Sequence, residues 1–231
     1  MDPAEFDKFA SEYTALHAAN ISASGERPEY FAEYKIRDLK SLLGVDNAQA
    51  ERRILDFGGG VGTSTPFFGQ YFPTAHVTCI DVSIASLKVG ASRFPGKASQ
   101  IAFDGMHLPF AEGTFDCVFA ACVFHHIPES EHRPLFSEMR RVLRDGGRLV
   151  IYEHNPWNPL TVKAVGSCEF DVNAVLIHAR ALKSKLAAAG FHRPTVKYRV
   201  FFPRALRWLR VLEGALGWLP LGAQYCVYDK K

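Results

Sequence analysis

The stretch Arg53-Ile54-Leu55-Asp56-Phe57-Gly58-Gly59-Gly60-Val61-Gly62 runs from an apolar strand signal directly into a glycine-rich turn. Thr63 to Phe72 then reads as a helix, and His76-Val77-Thr78-Cys79-Ile80-Asp81 as a second strand. Strand, crossover helix and strand make a βαβ unit, hence a parallel sheet. Outward from it the alternation continues, with a helix near Ile84 to Arg93, a strand at Ile101-Ala102-Phe103 and the apolar run Phe115 to Ala121. Runs of that kind belong in the middle of a parallel sheet covered on both faces. Glu131 to Leu143 predicts an amphipathic helix stopping at Asp145-Gly146-Gly147, followed by a fifth strand over Arg148 to Glu153. Beyond it, His178 to Ala189 reads as a helix ended by Gly190, with strand candidates at Thr195 to Phe202 and Gln224 to Tyr228.

Three segments stand outside this rhythm. From Phe6 to Leu43, Phe6, Phe9, Tyr13 and Leu16, then Phe31, Tyr34, Leu39 and Leu42, recur at helical spacing around a Gly25-Glu26-Arg27-Pro28 break. His154 to Ala174, with Pro156, Pro159 and the acidic residues Glu169 and Asp171, reads as an inserted substrate loop. Pro203 to Leu221 sets arginines beside Leu206, Trp208, Leu209 and Trp218, the pattern of an interfacial membrane helix, of a helix packed on the sheet or of a dimer face.

A chain of 231 residues can bury one substantial core. The net charge of +3 comes without a run of basic residues beside aromatics, which argues against nucleic acid as a partner. Five cysteines, Cys79, Cys117, Cys122, Cys168 and Cys226, show no C-x-x-C spacing and read as reduced core residues. Met1-Asp2-Pro3-Ala4-Glu5 lacks the basic and apolar parts of a signal peptide, so a cytoplasmic location is expected.

A glycine turn between strand and helix lets backbone approach a ligand closely and aims free helix N–H groups at it. Gly58-x-Gly60 is followed by Thr63 where the dinucleotide pattern needs a third glycine, and no P-loop G-K-[ST] is present. Asp56, at the strand end, suits a ligand ammonium and would repel a pyrophosphate. Asp81 closes the second strand, where an acid can accept from both hydroxyls of a ribose. Asp104, in Phe103-Asp104-Gly105-Met106, could take the exocyclic amine of an adenine while Met106 packs on its ring. Each acid alone could be an ordinary cap or turn former; at three successive strand ends beyond a glycine turn they point to one ligand.

These residues resemble the class I S-adenosylmethionine-dependent methyltransferases. Leu108-Pro109-Phe110…Phe115-Asp116-Cys117-Val118 and Leu143-Arg144-Asp145-Gly146-Gly147 look like the quinone-biosynthesis C-methyltransferase branch, the likeness covering about Ile54 to Glu153. The resemblance implies a Rossmann-like α/β fold: a mostly parallel seven-stranded sheet with an antiparallel last strand, helices on both faces and an N-terminal helical cap. It implies one domain over 1–231, with a cap at 1–50, a cofactor-binding core at 51–153, a substrate-loop insertion at 154–177 and C-terminal helices and strands at 178–231. S-adenosylmethionine would be the cofactor and S-adenosylhomocysteine the product. Gly58, Gly60 and Gly62 would line the methionine part, Asp56 meet the ammonium, Asp81 with Val82 the ribose, and Asp104, Gly105 and Met106 the adenine. Tyr13 and Ala121-Cys122 are further matches.

His125-His126, after the fourth strand, and Glu153-His154, ending the fifth, fall at the edge of the expected pocket, where an imidazole could accept a proton as an acceptor reacts. The histidine pair could equally be scaffold, and Glu153-His154 a loop cap. No third ligand is spaced with His125 and His126, so no metal is expected. The expected partner is a small-molecule methyl acceptor held between the N-terminal helices and the Asn155 to Ala174 loop, on a monomer or homodimer. The rivals are a noncatalytic cofactor-binding subunit and a nicotinamide-dependent oxidoreductase, the latter disfavoured by the missing glycine.

Overall fold

Near-continuous apolar runs along the central strands dictate a sheet buried on both faces. The computed structural model describes residues 7–10, 12–44 and 51–231. Phe6 and the other cap positions at 1–5, 11 and 45–50 lie outside the described residues. The strands are β1 (Arg52–Phe57), β2 (Ala75–Asp81), β3 (Ser99–Ala102), β4 (Phe115–Ala121), β5 (Leu143–His154), β6 (Thr195–Arg199) and β7 (Gln224–Lys230). They form one sheet in the order β3-β2-β1-β4-β5-β7-β6. Pairing is parallel from β3 to β5, and β7 runs antiparallel to both of its neighbours.

The α-helices whose bounds both lie among the described residues are α1 (Tyr13–Asn20), α2 (Pro28–Leu43), α3 (Thr65–Tyr71), α4 (Ile84–Arg93), α5 (Glu129–Val142), α6 (Pro159–Gly166), α7 (Ala179–Ala188) and α8 (Glu213–Leu216). On one face, Leu55, Val118, Ile151 and Val227 pack with Leu135 and Met139 of α5 and Leu182 of α7. On the other, Ile54, Phe119, Tyr152 and Cys226 pack with Ile36 and Leu39 of α2 and Phe68 of α3. Successive residues of one strand thus feed opposite cores, as the two-residue period requires.

The order turns back between β1 and β4, because the chain builds outward from β1 to β3 and then crosses to the other side. Open α/β sheets bind ligands beyond the strand ends at such a reversal. Register places Asp56 beside Phe119 and Ala121 beside Tyr152, so β1, β4 and β5 all end at this crevice.

Local chemistry moved several expected boundaries. The fourth and fifth strands pair from Leu143, with a register shift between Phe115 and Cys117, so α5 stops at Val142 and the glycines sit inside β5 as a bulge. The expected insertion loop carries α6, which Asn158 caps by accepting from the Thr161 amide at 3.0 Å and Pro159 opens at the first turn. β6 ends at Arg199, ahead of the left-handed Val200 (φ 61°). The arginine-rich stretch contains the 3-10 helix Arg204–Leu212 and leaves Trp208, Val211 and Trp218 exposed, so those side chains do not pack on the sheet. Among the described residues, no helix is long and apolar enough to cross a membrane.

The cap is tied to the sheet by Asp38 of α2, whose carboxylate accepts from Arg199 at 2.8 and 3.0 Å and from the Tyr152 hydroxyl at 2.8 Å. Removing one partner strands a mostly buried guanidinium, so Asp38→Ala should lower the unfolding free energy in urea titrations by about 3 kcal/mol. The paired apolar replacement Asp38→Leu with Arg199→Met should recover most of that loss; equal losses for both variants would refute the tie.

Candidate functional site

At the end of β1 the backbone must turn sharply under a ligand crevice. Gly58 and Gly60 take left-handed φ values of 70° and 51°, where an L side chain is strained. A Cβ at Gly58 would also lie 2.5 Å from Val123 Cγ2. The turn is held by Gly58 N–H donating to Ile80 O at 2.8 Å and Gly60 N–H donating to Asp81 Oδ2 at 2.9 Å, while Ser83 N–H donates to Asp81 Oδ1 at 2.9 Å.

Asp56 is buried, and its Oδ2 has no hydrogen-bond partner. Burial, with the Asp81 charge adding to it, pushes the Asp56 carboxyl up to about 7. A buried, unpaired acceptor is costly; here it sits at the wall of a cavity of about 360 Å³. The predicted residues Tyr13, Asp56, Gly58, Gly60, Asp81, Val82, Ala121, Cys122, His125, His126 and His154 all line that cavity.

Gly62, Asp104, Gly105 and Met106 do not line it. Gly62 lies against α4, where an added Cβ would stand 3.4 Å from Gly90 Cα. The Asp104 carboxylate turns back on its own loop, accepting from Met106 N–H at 2.8 Å and His107 N–H at 2.7 Å and pairing with His107 Nδ1 at 2.8 Å. Those bonds hold Asp104 well below the usual carboxylate range. Phe103, one residue earlier, is what this strand end contributes to the wall. Cys122 lines the cavity as expected but departs from the core reading of the cysteines, being half-buried where the other four are buried.

Beside Cys122 lies a charged cluster. Glu153, fully buried, accepts from Val123 N–H at 3.0 Å and Phe124 N–H at 2.7 Å and pairs with His125 Nδ1 at 2.6 Å. It caps the turn after β4 and orients His125, and it does not line the cavity itself. Asp171 Oδ1 stands 3.6 Å from His125 Nε2 and 3.2 Å from His126 Nε2. The expectation of no third group beside the histidine pair fails here, because tertiary folding supplies one from 45 residues away in sequence. Burial disfavours the charged His125 ring, but Glu153 and Asp171 outweigh it and raise its pKa to about 10. His154 is lowered to about 4 by burial and then by the His125 charge, and His17 to about 4 by burial and Lys35.

Other walls of the cavity are aromatic and apolar and come from segments far apart in sequence: Phe9, Tyr30 and Phe31 from the N-terminal part, Leu160 from α6, and Phe201 and Phe202 after β6. Arg210 joins these walls, bonding Glu26 at 2.8 Å and lying 4.4 Å from the centre of the Tyr30 ring. Glu213 accepts from Tyr34 Oη at 3.0 Å and Phe201 N–H at 3.0 Å. The polar residues Lys35, His17 and Gln224 also line the cavity without any sequence motif to announce them. The two described non-glycine residues with positive φ, Cys122 at 59° and Val200 at 61°, both line it as well, a placement typical of strained backbone.

Comparison with known proteins bears on this geometry. Residues 55–151 match the family model described as a methyltransferase domain. The ubiquinone/menaquinone biosynthesis C-methyltransferase of Pseudomonas fluorescens is 33% identical over 179 residues, covering 65% of this chain and 69% of that protein. The demethylmenaquinone methyltransferase of Thermobifida fusca is 34% identical over 163 residues, covering 68% of this chain and 63% of that one. The chain belongs to the class I S-adenosylmethionine-dependent methyltransferases. A solved S-adenosylmethionine-dependent methyltransferase from Archaeoglobus fulgidus superposes with a TM-score of 0.66 at 16% identity, covering 89% of this chain and 95% of the other, which shows the shared fold. S-adenosylmethionine is the cofactor of this methyltransferase, and the unpaired Asp56 Oδ2 beside a glycine turn fits its ammonium group.

The raised Asp56 pKa carries a stability consequence. Its folded value near 7 lies above the unfolded value near 3.9. The contribution of this group is therefore fully present below pH 4 and lost as pH rises toward 7, on the order of 4 kcal/mol in all. In the ligand-free methyltransferase, Asp56→Asn should raise the melting temperature relative to the unmodified protein, with a gap that widens from pH 5 to pH 8. A gap independent of pH would refute the assignment.

Proposed function

We propose that this methyltransferase methylates a small molecule with a flat apolar body and an ionisable hydroxyl or enol group. The observation that carries the reading is the continuity of one cavity, from the glycine turn and its two carboxylates to the aromatic walls beyond Ala121 and Cys122. Asp56 would bind the cofactor ammonium, the backbone at Gly58 and Gly60 would pass beneath the methionine part, and Asp81 with Val82 would hold the ribose. Phe103 takes the adenine-side wall that Asp104, Gly105 and Met106 leave. Tyr13 of α1 would close over the cofactor from the cap. These roles are inferred from the cavity lining together with the family relationship.

The cofactor supplies a methyl group already activated on a sulfonium, and its transfer is an in-line displacement. The protein's part is to align the acceptor and exclude water. Tyr30, Phe31, Phe202 and Leu160 provide the apolar walls for that alignment. His154 lines the cavity at the end of β5, and no described residue hydrogen-bonds its ring. We assign it as the group that takes the acceptor proton, with His125 and His126 engaged by Glu153 and Asp171. The quinone pathway named for the relatives supports an aromatic acceptor. The acceptor walls lie outside residues 55–151 of the family-model match, so the reading names an acceptor class and not the relatives' own substrates.

Calorimetric titration should show S-adenosylmethionine and S-adenosylhomocysteine binding and NADH failing to bind. Asp81→Ala should weaken the first two by roughly 10- to 100-fold, the worth of hydrogen bonds to a charged group. Because the ammonium needs an ionised partner, cofactor affinity should rise from pH 6 to pH 8 as Asp56 ionises, and Asp56→Asn should flatten that dependence. Incubation with fractionated small-molecule extracts, scored by S-adenosylhomocysteine release, should identify phenolic or enolic acceptors. With such an acceptor His154→Ala should lose on the order of 100-fold in kcat, and unchanged turnover would reassign the base.

A further inference from the structure

The turn after β4 and the turn after α6 bring three metal-type donors to one point. His125 and His126 come from the 3-10 turn Phe124–His126, and Asp171 from the 3-10 turn Glu169–Asp171. The second turn is anchored on the first by Val175 N–H donating to the His125 carbonyl at 2.8 Å. One donor atom from each of the three residues lies within 4.8 Å of the other two.

We propose that His125, His126 and Asp171 bind a divalent transition-metal ion of the zinc type, with its remaining coordination position open to the cavity.

Four features carry this assignment beyond a hydrogen-bonded cluster. First, the donor set of two imidazoles and one carboxylate suits zinc, and three protein ligands plus an open position is the pattern of a catalytic site. Second, Asp171 Oδ1 stands 3.2 Å from His126 Nε2 and 3.6 Å from His125 Nε2. Two ligands each at zinc bonding distance in a tetrahedral shell stand about 3.3–3.6 Å apart. Third, the outer shell is already built. Glu153 takes the Nδ1 side of His125 at 2.6 Å, and its other oxygen is fixed by the Val123 and Phe124 amides. A carboxylate on the far nitrogen is the usual partner of a ligating histidine, because it fixes the tautomer and turns Nε2 toward the ion. Fourth, all three donors line the cavity, which gives the ion a path of entry, and two buried carboxylates offer a dication the opposite charge. An ion there would present its open position to an acceptor oxygen, a consequence that rests on the acceptor reading above; the site itself does not.

The test uses the full chain, stripped of metal by chelation and titrated with zinc alone against a chromogenic indicator, without cofactor or acceptor. One zinc per chain should remain after gel filtration. Asp171→Asn and His126→Ala should weaken binding by at least the roughly 10- to 100-fold that loss of an outer-shell partner costs. His76→Ala, which removes an exposed histidine paired with Glu51, should retain full binding, and near-UV circular dichroism checks that each variant is folded. Cobalt loaded into the unmodified protein needs no variant: intense visible bands of a four- or five-coordinate ion are expected. A weak six-coordinate spectrum, or zinc held equally by the unmodified protein and Asp171→Asn, would overturn the site and leave a hydrogen-bonded cluster.

Discussion

Burying a carboxylate costs several kcal/mol unless hydrogen bonds or counter-charges replace its water. This sheet buries two where its strand order turns back, Asp56 on β1 and Glu153 on β5. Their compensation differs. Glu153 has two amide donors and a histidine ring, which fix the turn after β4 and the direction of His125. Asp56 keeps an oxygen with no partner at the cavity wall. One acid fixes the turn beside the crevice, and the other leaves an unpaired acceptor on the cavity wall that fits a ligand group carrying positive charge.

The cavity has two halves of different construction. One part is made by strand ends and the backbone of the glycine turn, and it falls inside residues 55–151 of the matched domain. The remaining walls are made by α1, α2, α6 and the segment after β6, all outside that range. Those pieces are joined by polar ties, Arg210 to Glu26, Glu213 to Tyr34 and Arg199 to Asp38.

The order of strands and helices was legible because the two-residue and 3.6-residue periods are strong in this chain, and Asp56 and Asp81 because each ends an apolar strand beside a glycine or turn residue. Asp104 has the same local signature, yet its carboxylate satisfies its own loop amides, a competition that spacing does not reveal. α6 was hidden because Pro156 and Pro159 read as breakers, although Asn158-Pro159 is a cap followed by a first-turn proline. Asp171 was seen as part of an acidic pair but not as a partner of His125 and His126, since its approach depends on a backbone bond from Val175 to the His125 carbonyl. The left-handed backbone of Cys122 and Val200 follows from tertiary packing and has no signature in residues that ordinarily avoid it.

The central assignment, a cofactor anchored on Asp56 and Asp81, is tested most directly by diffraction from crystals grown with S-adenosylhomocysteine. Density should place the ligand ammonium at hydrogen-bonding distance from Asp56 Oδ2 and the ribose hydroxyls on Asp81. A ligand lying elsewhere in the cavity, with Asp56 Oδ2 still unpaired, would contradict it.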